Sequence, residues 1–268
     1  MINVKKLSII ALVLLAIGVV GGLFTYPSTI EADATMEEKI IKEEFTALKV
    51  DSDNARVEII PTKDSEAKIE LVTKGYKGSE STFTTEVEGD TLSVSFKLKE
   101  KWLFRFGFHT QSQHLKIFLP EKQYEAFTIK NGNGEVQIEQ MKVNNLQVKI
   151  VNGEIELDTI VAKRVDVEST NGEIYLQGVE GDIIGSTTNG EILVETKDLD
   201  RRMQLTTTNG EIIVRTEKEP TNTTFDVEVT NGDINILDKY EGSTTIGKGK
   251  YVIKLKTTNG EITVAKLR

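Results

Sequence analysis

The chain has 268 residues, 42 acidic against 33 basic side chains, and a formal net charge of −9. That balance argues against a nucleic-acid partner, which would call for a basic patch. Cysteine is absent, which excludes disulfides, thiol catalysis and thiolate metal sites, and no cofactor is implied.

Taken in chain order, residues 1–6 read as a short cytoplasmic tail ending in Lys5 and Lys6, and residues 7–24 carry no charge. This run reaches the lower end of what a transmembrane helix needs. Basic residues before it and acidic sequence after it predict a single-pass protein of the cell membrane, with a cytoplasmic N-terminus and an extracellular C-terminal domain. A cleaved signal peptide is the rival, because Ala32-Asp33-Ala34 resembles a cleavage site. That site lies well past the apolar run, which favours a retained anchor. Gly18 and Gly22 form a Gly-xxx-Gly pair, a candidate homodimer contact. Residues 25–44 form a polar stalk, in which Thr35 and Glu38 make a capping box that predicts a short helix from about Met36 to Glu44.

Residues 45–268 form the extracytoplasmic domain, with irregular first coils and an insertion over 45–126 and regular repeats over 127–268. The insertion holds the chain's one dense aromatic segment, Trp102, Phe104, Phe106 and Phe108, with Lys97, Lys99, Lys101 and Arg105 around it. One reading is a hydrophobic cap over the open end of a repeat array. The other is a contact with the membrane interface or a partner through Trp102, Phe104, Arg105, Phe106 and Phe108. The two histidines, His109 and His114, show no metal-site or catalytic spacing.

The repeat is a phrase: Asn-Gly-Glu, once Asn-Gly-Asp, at Asn133, Asn152, Asn171, Asn189, Asn209, Asn231 and Asn259. The spacings are 19, 19, 18, 20, 22 and 28 residues, a period that points to stacked units. Counting from each Asn, positions −6 and −4 are apolar except at Gly185, and positions +3 and +5 are apolar in every copy, from Val136 and Ile138 to Ile262 and Val264. Period-two alternation means strands with one buried face, joined by a turn whose Gly supplies positive φ. A degenerate copy centres on Asn54, with Ala55 in place of Gly and Arg56 in place of Glu. A hairpin meander and a β-solenoid both fit this pattern. Thr170, Thr188, Thr208, Thr230 and Thr258 recur at −1, and an acid recurs at +2. Such recurrence suits stacked ladders. The expected fold is therefore all-β: a β-solenoid (single-stranded parallel β-helix) of roughly 20-residue coils, preceded by one transmembrane helix.

In that fold Glu135, Glu154, Glu173, Glu191, Glu211, Asp233 and Glu261 form a row of like charges. The row reads either as a solvated face that blocks edge association or as a strip for cations or cationic peptides. Near the end of the chain, Gly242 to Gly249 approaches a phosphate-binding loop. It has Gly249 where Ser or Thr would hold magnesium, and a strand rather than a helix follows, so it reads as a surface loop between coils. No Gly-x-Ser-x-Gly nucleophile motif occurs.

Three stretches carry a resemblance: FTALKVDSDNARVEIIP (45–61), LKIFLPEKQYEAFTIKNGNGEVQI (115–138) and the serial NGEI copies. Together, over roughly residues 45–268, they resemble the bacterial "putative adhesin" domain of unknown function found in LiaG-like membrane-anchored proteins of Gram-positive bacteria. The resemblance implies a β-helical extracytoplasmic domain linked to the cell envelope and its stress response, and supplies no catalytic residues. The expected function is a non-enzymatic interaction module whose partner is an envelope protein or wall glycan. An adhesin or glycan binder, or a polysaccharide-cleaving enzyme, are the alternatives.

Overall fold

The computed structural model describes residues 34–74, 80–99 and 112–267, together with Leu15. The strands are β1 (Ala34–Ile41), β2 (Ala47–Thr62), β3 (Ala67–Lys74), β4 (Glu80–Glu88), β5 (Thr91–Lys99), β6 (Ser112–Pro120), β7 (Gln123–Glu139), β8 (Lys142–Asp158) and β9 (Val161–Asn171). Ten shorter ones follow: β10 (Ile174–Gln177), β11 (Glu180–Asn189), β12 (Ile192–Thr196), β13 (Met203–Asn209), β14 (Ile212–Thr216), β15 (Thr223–Asn231), β16 (Ile234–Ile236), β17 (Thr244–Ile246), β18 (Tyr251–Asn259) and β19 (Ile262–Lys266).

They stack into two walls. Residues entering each Asn-Gly turn build the entry wall, in the order β4, β5, β2, β7, β8, β9, β11, β13, β18, β15, β17. Residues leaving the turn build the exit wall, in the order β1, β3, β6, β2, β7, β8, β10, β12, β14, β19, β16. Between neighbouring coils every pairing is parallel; the antiparallel ones lie in the outer layers, at β4, β3, β1 and β17. The chain is thus a β-solenoid, and the meander is not formed.

The apolar positions −6, −4, +3 and +5 point between the walls. Leu146, Val148, Ile155 and Leu157 of one coil are each at most 1% exposed. A second corner leads each coil back to the entry wall, where Met141, Ile160 and Val179 plug the core. Gln140, Thr159 and Gly178 precede them in the left-handed region, with φ of 51°, 57° and 61°.

Asn-Gly does two jobs at the turn. The side chains at position 0 form a continuous amide ladder. Asn133 Nδ2 donates to Asn54 Oδ1, and the next links are Asn152 to Asn133 at 2.6 Å, Asn171 to Asn152 at 2.8 Å, Asn189 to Asn171 at 2.7 Å and Asn209 to Asn189 at 2.8 Å. Glycine at +1 is required twice over. At Gly153 φ is +130°, and a Cβ would lie 1.7 Å from the Gly134 carbonyl oxygen of the coil beneath.

The hydroxyls that bond between coils sit at −2, not at −1. Thr187, Thr207 and Thr257, all buried, donate to the carbonyls of Gly172, Gly190 and Gly210 at 3.0–3.1 Å. The buried Asn131 Nδ2 donates to the Ala55 carbonyl in the same way, at 2.8 Å. The threonines at −1 lie on the outer face of the entry wall.

Three expectations change. The helix expected from about Met36 to Glu44 is strand β1, paired antiparallel with β3. Pairing covers the second edge of β3 and one edge of β1 at the end of the exit wall, and Thr35 bonds Thr73 instead of capping a helix. The insertion is itself coiled: β5 lies in register on β2 at Leu48↔Leu92 and Val50↔Val94, and β6 at Val57↔Leu115 and Ile59↔Ile117. The stack also does not follow chain order. Asn259 pairs with Asn209 on one side and Asn231 on the other, so the ladder ends with Asn259 to Asn209 at 2.7 Å and Asn231 to Asn259 at 2.8 Å. The near phosphate-loop sequence forms β17, which pairs with β15 at the end of the entry wall. Ser243 Oγ closes it by accepting from Val227 N–H and donating to the Val227 carbonyl.

Two stability tests follow from the turn. Gly153→Ala should cost at least about 3 kcal/mol. Gly89→Ala should cost only about 1–2 kcal/mol, because at Gly89 φ is +61° and nothing lies within 4 Å of the added Cβ. Equal losses in denaturant titrations would show that stacking contact is not the reason for the turn glycines. Asn171→Ala removes two ladder bonds and should cost about 1–3 kcal/mol, whereas Asn231→Ala removes one and should cost about half as much.

Candidate functional site: the acidic exit wall

The parallel register brings the residue at +2 of every coil into one file. Its order is Arg56, Glu135, Glu154, Glu173, Glu191, Glu211, Glu261 and Asp233. Glu135 lies in register between Arg56 and Glu154. From there the amide of Ile155 donates to the Glu173 carbonyl, Ile174 to Glu191, Ile192 to Glu211, Ile212 to Glu261 and Ile262 to Asp233. The degenerate copy contributes the one cation, and Arg56 Nη2 lies 3.3 Å from Glu135 Oε1.

The file belongs to a wider acidic surface. Outward positions +4 and +6 on the exit wall add Glu156, Glu139 and Asp158, with Glu139↔Asp158 and Gln137↔Glu156 side by side. Over the three coils of Asn133, Asn152 and Asn171, the outward exit-wall positions carry six carboxylates and no cation. The outward entry wall differs. Lys149 pairs with Glu168 at 2.8 Å, Lys256 with Glu228 at 2.9 Å, and Arg164 lies 3.7 Å from Asp166. One wall is therefore nearly neutral and the other strongly negative. A shallow groove of about 540 Å³ runs along the turn, floored by Gly134, Gly153 and Gly172 and edged by Arg56, Glu135, Glu154 and Glu173.

Burial pushes the carboxyl of Glu154 above the usual range, and the like charges of Glu135 and Glu173 add to it. Glu191 is raised likewise, by burial first and then by Glu211 and Glu173. Glu156 is raised by burial and by Glu154, Glu135, Glu139 and Asp158. Glu58, near the other end of the wall, goes the opposite way. Burial raises it, but contacts to Lys116 at 3.2 Å and His114 at 2.8 Å outweigh that and hold it below the usual range. His114 thus sits beside Glu58 and Lys116 on the outer face of the wall.

Among the described residues, no group of three or more His, Asp or Glu side chains is arranged to hold a metal ion. The file spaces its carboxylates one per coil, about 4.8 Å apart, which favours extended cationic ligands over a chelated ion. Trp102, Phe104, Arg105, Phe106 and Phe108 lie outside the described residues, as do Gly18 and Gly22. In sequence the aromatic segment falls between β5, which ends at Lys99, and β6, which starts at Ser112. Residues 7–24 also lie outside, except Leu15, and among the described residues no helix is long and apolar enough to cross a membrane. Sequence reasoning found the +2 file but missed Glu139, Glu156 and Asp158. Their signal was present, since each alternates with a core aliphatic of the +3 and +5 pair.

A family model described as Toastrack DUF4097 matches the chain in two overlapping blocks, residues 45–180 and 129–265. The chain belongs to this family. The Toastrack match spans coils of both the irregular and regular regions, consistent with one continuous solenoid. No curated protein matches the chain. Among solved structures, a "putative adhesin" from Bacteroides fragilis is 15% identical, covering 87% of this chain and 97% of that one with a TM-score of 0.50. A "putative cell adhesion protein" from Clostridium sporogenes is 14% identical, covering 88% and 100% with a TM-score of 0.35. A "putative lipid binding protein" from Parabacteroides distasonis is 15% identical, covering 89% and 99% with a TM-score of 0.42.

A carboxyl that holds its proton more tightly when folded than when unfolded weakens the fold once ionised. That penalty is absent below the unfolded pKa and complete above the raised folded pKa. Glu154→Gln should therefore raise the denaturation midpoint at pH 7, and the gain should vanish by about pH 4. A gain of the same size at both pH values would remove the electrostatic explanation.

Proposed function

We propose that this Toastrack protein is a non-enzymatic, single-pass envelope protein whose solenoid presents its acidic exit wall to a basic partner outside the membrane, within the response to envelope stress. The observation that carries this reading is the charge asymmetry between the walls. Both are built from the same repeat, yet only one carries no cation of its own over three successive coils. A solvated face needs charge of either sign; a one-sided field steers and selects oppositely charged partners. The uncharged run at 7–24 supports the anchor, and the resemblance to LiaG-like proteins supports the stress context. A homodimer through Gly18 and Gly22 and a contact through Trp102, Phe104, Arg105, Phe106 and Phe108 belong to the same proposal.

The Bacteroides fragilis neighbour, described as an adhesin, favours a second reading in which the walls bind glycan. The two separate in cells. A photo-crosslinker placed on the exit wall at Gln137 or Thr263 should capture a basic envelope protein, more so under cell-wall antibiotic. The same probe on the entry wall at Thr128 or Gln204 should not. Capture should fall when Glu135, Glu154, Glu156 and Glu173 become Gln, and when salt is raised. Equal capture from both walls would defeat the acidic-wall reading, and capture of wall glycan would install the second.

A further inference from the structure

We propose that the gap between the coils of Asn209 and Asn231 is a strand-exchange site, and that its occupant, residues 251–267, can be supplied by a second copy of this chain. The inference is independent of the functional reading above.

The gap follows from the stacking order. Coil Asn231 precedes coil Asn259 in the chain by 28 residues, yet coil Asn259 lies between it and coil Asn209. Both sides of the gap meet the insert in the same register. Met203, Ile253 and Phe225 line up across it, as do Asn209, Asn259 and Asn231. On the exit wall Ile212, Ile262 and Ile234 do the same. The edges of coils Asn209 and Asn231 are therefore complementary to each other as well as to the insert, and the gap can close when the insert is out. Coil Asn231 is complete first and can occupy that closed position, so seating the insert requires an opening step.

Three further features make opening accessible. Coil Asn231 is the less tightly packed side: Val227 is 9% exposed and Val229 and Ile234 are only partly buried, against 0% for Leu205, Ile212 and Val214 of coil Asn209. Regions with weaker burial open locally at lower free energy. Next, the insert is reached through Gly247–Lys250, in which Gly247 and Gly249 both hold positive φ, 67° and 66°. A segment with two glycines absorbs a change of direction at low steric cost. Finally, an open gap exposes the backbone donors and acceptors of β13 and β14 along a full coil. A copy of 251–267 from another chain meets that edge with the same aliphatics, the same Thr257 hydroxyl and the same Asn259 amide as the resident segment. Exchange of an identical element between copies forms no new interface and so has no intrinsic specificity barrier.

The absence of cysteine gives a clean test. Gln204 and Lys254 are exposed, outward-facing neighbours across the β13–β18 pairing. Adjacent strands lie about 4.8 Å apart, within disulfide reach. Full-length chains carrying Gln204→Cys and full-length chains carrying Lys254→Cys are mixed, incubated and oxidised with copper phenanthroline. The expected result is a covalent dimer that accumulates with incubation in the mixture and exceeds that of either variant alone. The double variant Gln204→Cys/Lys254→Cys, oxidised without incubation, should close within one chain and so report the inserted order. No excess dimer in the mixture, while the double variant closes fully, overturns exchange. Closure of Gln204→Cys/Asp226→Cys in place of Gln204→Cys/Lys254→Cys overturns the inserted order and the proposal with it.

Discussion

Backbone contact between successive coils at the Asn-Gly turn is the constraint on which the rest of this solenoid depends. Ladder hydrogen bonds fix the rise from coil to coil at about 4.8 Å. At the turn the direction a Cβ would take points along the stack axis, into the carbonyl of the coil beneath. Only hydrogen fits there, so +1 is Gly in every coil that sits on another Asn-Gly turn. Ala55 occurs in the coil that lies on β5 and β6, between which the sequence carries no Asn-Gly. Once the glycines are in contact, the residue before them is held at the same rise. An amide is the side chain that both donates and accepts at that spacing, so Asn forms a ladder. The glycine carbonyls that face inward then need donors, and Thr187, Thr207 and Thr257 at −2 provide them. Turn, ladder and buried hydroxyls are three consequences of one distance.

The same distance sets the electrostatics. A fixed register places every +2 side chain beside its copy, and nothing in the backbone relieves a row of equal charges. At about 5 Å in water, each neighbouring pair costs roughly 1 kcal/mol before screening, and partial burial of Glu154 and Glu191 increases the cost. The entry wall shows that the fold can avoid this, because its outward positions alternate sign from coil to coil at Lys149 and Glu168 and at Lys256 and Glu228. The exit wall does so only at the end built from β3, β6 and β2, where Lys68 meets Glu70, Lys116 meets Glu58 and Arg56 meets Glu135, and at Arg215, which meets Glu195 at 2.9 Å. A solenoid can therefore carry an unbalanced face as long as hydrophobic and ladder terms exceed the repulsion, and the Val, Ile and Leu core supplies that margin here.

Legibility in the sequence divided along the same lines. Anything repeated at a fixed offset could be read: the strands, the turn, the apolar pairs and the acid at +2. The −2 hydroxyls were missed because the column is chemically mixed, with Asn131, Ile150, Ser169 and Val229 among the threonines. What they share is depth, which a one-dimensional pattern shows poorly. β1 was misread because a local capping signal at Thr35 and Glu38 competes with an unpaired edge on β3, more than 25 residues away in sequence. Local propensity loses when a partner edge supplies a full set of backbone bonds. The coils hidden in the insertion were missed because β5 and β6 carry core aliphatics without the Asn-Gly phrase.

The order of the last two coils follows from what comes between them. Equal registers do not choose an order, since either coil could stack on Asn209. Residues 237–250 decide it. They fold back over the coil that precedes them: β17 pairs along β15 from Thr223 to Phe225, and Tyr240 bridges to Ile236 of β16. That occupies part of the outer edge of coil Asn231 on each wall, at Thr223–Phe225 and at Ile236. A further coil finds no continuous edge there, so the next free position is the inner one, between Asn209 and Asn231. The arrangement also places Val229, which has no hydroxyl to offer, opposite the Gly260 carbonyl in the outermost interface, and leaves Thr257 to serve the deeper carbonyl of Gly210. The cap is thus built before the stack is complete.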